Sequence, residues 1–146
     1  MRKQRLPFSE IISEAAKKRT KVDKKEFLQS HDCVPLRIIL RLWYDETLEW
    51  LVPDSAPPYK KGETADEGMM LYHEARKLRI FIKGGGYDQL KPAKRESLFI
   101  GLLEDLYDPD AEMLCQMITN KPYKGLTKQT VEDAFPRLFI DPLKIN

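Results

Sequence analysis

Prolines and capping residues cut this chain into segments whose apolar residues recur every three or four positions. That spacing leaves room for little besides helices. Pro7 opens a stretch in which Phe8, Ile11, Ile12, Ala15 and Ala16 share one side, predicting a helix from about Pro7 to Lys18. Thr20 followed by Asp23 reads as a capping pair for a second helix that buries Val22, Phe27 and Leu28. Pro35 suits the first turn of a third, with Leu36, Ile39, Leu40 and Trp43 in phase. Asp45 is expected to cap a short continuation through Leu48, Trp50 and Leu51, stopped at Val52 because Pro53 disfavours helix before it.

The run from Pro53 to Gly62 reads as an extended, partly polyproline loop. Thr64 and Glu67 form a capping box for a long helix reaching about Ile82. The β-rich Leu78–Ile82 competes as a strand, but no partner strand is evident and helix is preferred. Pro92 begins a helix carrying Leu98, Phe99, Leu102, Leu103 and Leu106. Asp108-Pro109 reads as N-cap and first helical position of another, through about Ile118. Gly125 and Thr127 mark a last stop and start, with Val131, Ala134 and Phe135 inward and Pro136 ending the helix.

The expected fold is therefore all-α: one compact domain of six to seven helices over residues 1–146. Residues 1–6 and 139–146 are the candidate tails. Phe139, Ile140 and Leu143 give the second tail an apolar grip for docking on its own domain. Leu36–Leu51 can be laid over Phe99–Leu114 without a gap, superposing Tyr44-Asp45 on Tyr107-Asp108. That suggests two αα-hairpins packed in HEAT-like fashion.

Composition agrees and excludes several classes. With 42% apolar and 33% charged residues in 146, the chain can build a core. Two distant cysteines exclude a disulfide scaffold and a cysteine-rich zinc module. The most apolar stretch, Ile38–Val52, is interrupted by Arg41, Asp45, Glu46 and Glu49 and is too short to cross a bilayer. No apolar signal segment follows the basic start. The expectation is a soluble, intracellular protein with no membrane partner.

No catalytic constellation stands out. His31, Cys33, His73 and Cys115 lack the paired spacing of a metal site, and no Ser or Cys carries a nucleophile motif. With two His in the chain, acid–base work would fall to carboxylates such as Glu96 and Glu104, and Glu96, beside Lys94 and Arg95 in a first turn, reads as a solvated or salt-bridging carboxylate. Gly84-Gly85-Gly86 lacks the Lys-Ser/Thr of a phosphate loop and reads as a helix stop. The chain is expected to be no enzyme and to need no cofactor or metal.

Charge is more informative along the chain than in total. The net of +2 argues against a generic polyanion binder. Resolved by segment, residues 1–30 hold nine Lys/Arg against four acids, 44–72 two against seven, 73–100 seven against three, and 101–120 none against five. Lys17, Lys18, Arg19, Lys21, Lys24 and Lys25 concentrate the first basic block, and Lys94 and Arg95, with Lys91, a second. These are the candidate nucleic-acid-binding residues; solvated faces and inter-helix pairing are the plainer account. Pro57, Pro58, Tyr59 and Lys60 are the candidate protein-binding residues, because a stiff loop presents an aromatic at little entropic cost.

Several segments carry a resemblance. Leu51–Lys60, with its Pro-Pro-Tyr-Lys, and Lys94–Glu104, with Lys-Arg-Glu, Leu-Phe-Ile and Leu-Leu-Glu, are similar to signatures of a small protein family of tailed bacteriophages. Asp108–Glu112, Lys124–Thr127 and Ala134–Pro136 follow in the same order. The family is known only as a domain of unknown function in large myoviruses, and the likeness runs roughly from Ile11 to Leu138. It implies a phage-encoded protein acting in the host cytoplasm or associated with the virion, and no mechanism. The leading expectation is a non-enzymatic helical protein that binds a phage or host protein. The alternative is a nucleic-acid-binding accessory factor of phage replication or transcription.

Overall fold

The computed structural model describes residues 6–60, 70–143 and 145. Seven α-helices form among them: α1 (Phe8–Lys17), α2 (Lys21–Ser30), α3 (Val34–Tyr44), α4 (Leu71–Glu74), α5 (Pro92–Asp105), α6 (Asp108–Met117) and α7 (Lys128–Ala134). A 3-10 helix over Ala75–Phe81 continues α4. No strand forms among the described residues, and the all-α expectation holds. None of these helices is long and apolar enough to cross a membrane.

The core is organised around α3. Its Leu36, Ile38, Ile39, Leu40, Leu42, Trp43 and Tyr44 are all buried, leaving little polar surface, as expected of a helix enclosed by others. The 3-10 helix packs on α3, α2 packs on both α1 and α7, and α6 joins α1 to α5. One apolar cluster runs through all of these elements.

Local capping explains several boundaries. The Thr20 hydroxyl accepts the Asp23 amide at 3.0 Å and Thr127 that of Thr130 at 3.2 Å, each satisfying an orphan donor of the first turn. Helix α1 has no cap of its own, because Pro7 stands at its N-cap position. Its Ser9 amide instead donates to Asp110 Oδ1 at 3.1 Å, across 101 residues of sequence. Asp110 Oδ2 accepts the Leu71 amide at 3.0 Å, so one fully buried carboxylate terminates two helices. At α6 itself Tyr107 is the N-cap and Asp108 the first helical residue, one position earlier than expected.

The expected continuation after α3 does not form. The Asp45 side chain closes a turn instead, accepting the Thr47 amide at 2.9 Å and its hydroxyl at 2.6 Å while pairing with Arg41. Burial raises the Asp45 carboxyl, but the Thr47 and Arg41 contacts outweigh it and hold the group below its ordinary value. Beyond the turn Trp50 makes an isolated antiparallel bridge with Ile82. The long helix expected to reach about Ile82 does not form among the described residues: Met70 is extended, four-residue α4 and the 3-10 helix follow as far as Phe81, and Ile82 pairs as a strand residue would. A hairpin of two helices exists at α5–α6 but not at α3, so the sequence repeat is not a structural one. Thr64 and Glu67 lie outside the described residues.

The C-terminal segment docks. Leu138, Phe139 and Leu143 pack on the core, Ile145 is buried, and the Arg41 guanidinium donates to the carbonyls of Leu138 and Asp141. Ile140 alone of its apolar residues points out, at 71% exposed.

Of the three consecutive glycines, Gly85 is fixed by space. A Cβ there would stand 1.9 Å from the Arg79 carbonyl oxygen. Gly85→Ala should cost about 2 kcal/mol or more in urea unfolding, whereas Gly101→Ala, with open space inside α5, should be neutral or add about 0.5–1 kcal/mol. Equal behaviour of the two variants would contradict this packing. The Gly84 amide is already taken by the Asp88 carboxylate at 3.0 Å, which leaves no open phosphate cradle at that donor.

Candidate functional site

The turn between α1 and α2 projects charge because the apolar face of α1 ends at Ala15 and half-buried Ala16. Lys17, Lys18, Arg19 and Lys21 are exposed, and Lys24 and Lys25 are half-buried. Lys17 lies 3.7 Å from Glu14, and the Lys18 ammonium sits 4.8 Å from the Phe27 ring centre. Among the described residues, Arg19, Lys21 and Lys25 have no carboxylate within 4.0 Å. Lys21 and Lys24 also fall in the first turn of α2, where the helix dipole is positive and disfavours cations. Helix stability therefore does not account for them.

A second segment completes this corner. Gly125 has φ +91°, and a Cβ there would stand 2.9 Å from the Ala16 carbonyl oxygen, so the 120–127 loop lies directly on the end of α1. The Lys24 ammonium donates to the Gly125 carbonyl. Exposed Lys124, which also has no carboxylate within 4.0 Å, faces Lys17 across a shallow pocket of about 560 Å³. Sequence reading missed Lys124. It took Lys124-Gly125-Leu126-Thr127 as a helix stop and start and as part of the resemblance, and the fold contact at Gly125 is what brings it to the basic cluster.

The loop is held from beneath by Tyr44. Its buried hydroxyl donates to the Leu126 carbonyl at 2.7 Å and accepts the Tyr123 amide at 3.0 Å. Burial pushes the Tyr44 phenol up to about 12, against a smaller lowering by the Tyr123 amide. A raised folded-state value means the stabilisation is complete below the ordinary phenol range near 10 and is lost as pH rises through about 12. Tyr44→Phe should therefore flatten the fall of melting temperature between pH 10 and 12. An unchanged alkaline limb would contradict this role.

The second basic block is divided by helix phase. Lys91 and Lys94 are exposed, but Arg95 is buried and donates to the carbonyls of Tyr87 at 2.9 Å and Ile80 at 3.3 Å. As a nucleic-acid contact Arg95 is corrected: its guanidinium is spent on holding the 80–88 segment.

The candidate protein-binding loop is likewise turned partly inward. Tyr59 is half-buried against the core beside Cys115, while the Lys60 amide donates to Glu104 at 2.8 Å. Burial is the first cause that pushes Tyr59 up to about 12, followed by the neighbouring Cys115 and Glu112, and burial also raises the Cys115 thiol. Pro57 is half-buried; Pro58 and the Lys60 side chain stay at the surface. A separate cleft of about 930 Å³ opens between α3 and the C-terminal segment, lined by Val34, Ile38, Phe135, Leu138 and Leu143. Among the described residues, no group of three or more His, Cys, Asp or Glu could hold a metal ion.

The model of a family of unknown function (DUF6433) matches residues 11–124. The chain belongs to that family. The match runs from Ile11, inside α1, through α6 and the loop up to Lys124, so both halves of the basic corner lie within it, while α7 and the C-terminal segment lie beyond. No curated protein and no solved structure matches the chain.

Proposed function

We propose that the chain is a non-enzymatic nucleic-acid-binding accessory protein that grips phosphates with the α1–α2 corner and Lys124. One observation carries this reading. Arg19, Lys21 and Lys25, with no carboxylate within 4.0 Å among the described residues, stand around the start of α2, and the Lys24–Gly125 contact brings Lys124, about 100 residues further on, to the same corner. The near-neutral total charge does not oppose it, because binding depends on the local field of one face. The resemblance to tailed-phage proteins supports a role in phage replication or transcription in the host cytoplasm. The α5 block contributes at most Lys91 and Lys94, since Arg95 is engaged internally.

Titration of fluorescently labelled DNA and RNA by anisotropy tests the reading. Binding that weakens steeply as salt rises is expected. Absence of binding to both at low salt would overturn it.

The protein-partner reading keeps one observation of its own, the apolar cleft in which Val34 is 53% exposed. That cleft is rimmed by Asp32, Arg37, Arg137 and Asp141 as well, and it shifts the expected contact from the Pro57–Lys60 loop to the α3 face. A partner captured from infected cells and released by Val34→Asp would favour it.

A further inference from the structure

The pocket between Lys17 and Lys124 differs from the rest of the basic corner in holding an aromatic ring and unengaged polar groups. Tyr123 is half-buried, with its ring set edge-on to Trp43 at 5.9 Å between centroids and 83° between planes. Trp43 is itself locked, its indole donating to the Lys121 carbonyl at 2.7 Å. The ring is therefore fixed before any ligand arrives, on a loop pinned by Tyr44 and by the Gly125–Ala16 contact. Gln116 and Ser13 also line the pocket, both half-buried. Among the described residues, neither the Gln116 side-chain amide nor the Ser13 hydroxyl makes a hydrogen bond within the chain.

A rigid aromatic, an amide able to donate and accept, a hydroxyl and two flanking ammonium groups are what one unstacked nucleotide requires. The ring offers a stacking surface, the amide and hydroxyl can meet a base edge, and the lysines can meet the phosphates on either side. A duplex keeps its bases stacked inside and offers none to such a pocket. We infer that this pocket seats one nucleotide of a single strand, with the base against Tyr123 and its flanking phosphates at Lys17 and Lys124. The inference rests on the nucleic-acid reading above and narrows it to single-stranded DNA or RNA.

The test compares four probes with the whole chain: a labelled 12-nucleotide oligodeoxyuridine, its oligouridine counterpart, an abasic strand of equal length, and a duplex. The base-bearing strands should bind about tenfold tighter than the abasic one, and tighter than the duplex. Whichever of the two base-bearing strands binds more tightly identifies the sugar preferred. Tyr123→Ala should erase the advantage over the abasic strand while leaving the salt dependence intact, and Lys124→Glu should weaken every probe. Equal affinity of wild-type protein for base-bearing and abasic strands would overturn the inference, with no variant needed and with phosphate binding left standing. Failure of all four probes to bind at low salt would overturn the nucleic-acid reading along with it.

Discussion

Asp110→Ala should lower stability by about 3 kcal/mol or more, equivalent to a fall in melting temperature of about 10 °C for a chain of this size. The carboxylate is fully buried, and each of its oxygens serves a different helix start: Oδ1 the Ser9 amide of α1, Oδ2 the Leu71 amide of α4. Removing it strands two donors, each costing about 1–3 kcal/mol, and withdraws a negative charge from the positive end of α1. Asp110→Asn separates these effects. Its one amide oxygen can accept only one of the two donors, while its NH2 group faces the other, so an intermediate loss is expected. Thermal unfolding of the two variants decides the matter, and a shift below about 2 °C in Asp110→Ala would show that the double cap contributes little.

Reversing four cations at once, Arg19→Glu, Lys21→Glu, Lys25→Glu and Lys124→Glu, should reduce nucleic-acid affinity at least about a hundredfold. None of the four has a carboxylate partner within 4.0 Å among the described residues. Arg19, Lys21 and Lys124 are exposed and Lys25 is half-buried, so the fold should tolerate the change. The acid introduced by Lys21→Glu would even suit the dipole of α2. A stable, folded variant that no longer binds separates the role of the corner from its packing. Reversal of Lys91 and Lys94 on α5 is the matched comparison and should cost far less.

The parts of this fold that were legible in the sequence are those written locally. Thr20 and Thr127 each cap a helix by accepting an amide three residues on, and the apolar phase of α3 survives intact, whereas Val22 of α2, expected to be buried, and Leu98 of α5 are exposed. The cap of α1 was not legible, since Asp110 stands 101 residues from the amide it satisfies. The segment after α3 misled because Leu48, Trp50 and Leu51 have helical spacing. What decides its shape is the Asp45–Thr47 turn and the distant Ile82 bridge.

The candidate site shows the same division. The Lys17–Lys25 run announces itself, but its meaning depends on Lys124, which the Gly125–Ala16 contact brings to it. Arg95 shows the opposite error. It sits beside exposed Lys94 in the chain, yet it is four residues before Phe99 and seven before Leu102, on the buried face of α5. Tyr59 was expected to be presented by its stiff loop and is instead half-buried beside Cys115, a neighbourhood no local pattern contains.

The most direct measurement of the central claim is the slope of log affinity against log salt for the wild-type chain and the four-site variant on one single-stranded probe. If the corner grips phosphates, the wild-type slope should be steep and the variant's shallower by about three, since each lost phosphate contact removes a little under one counterion. Two parallel slopes would mean that those cations touch no phosphate, and would contradict the account.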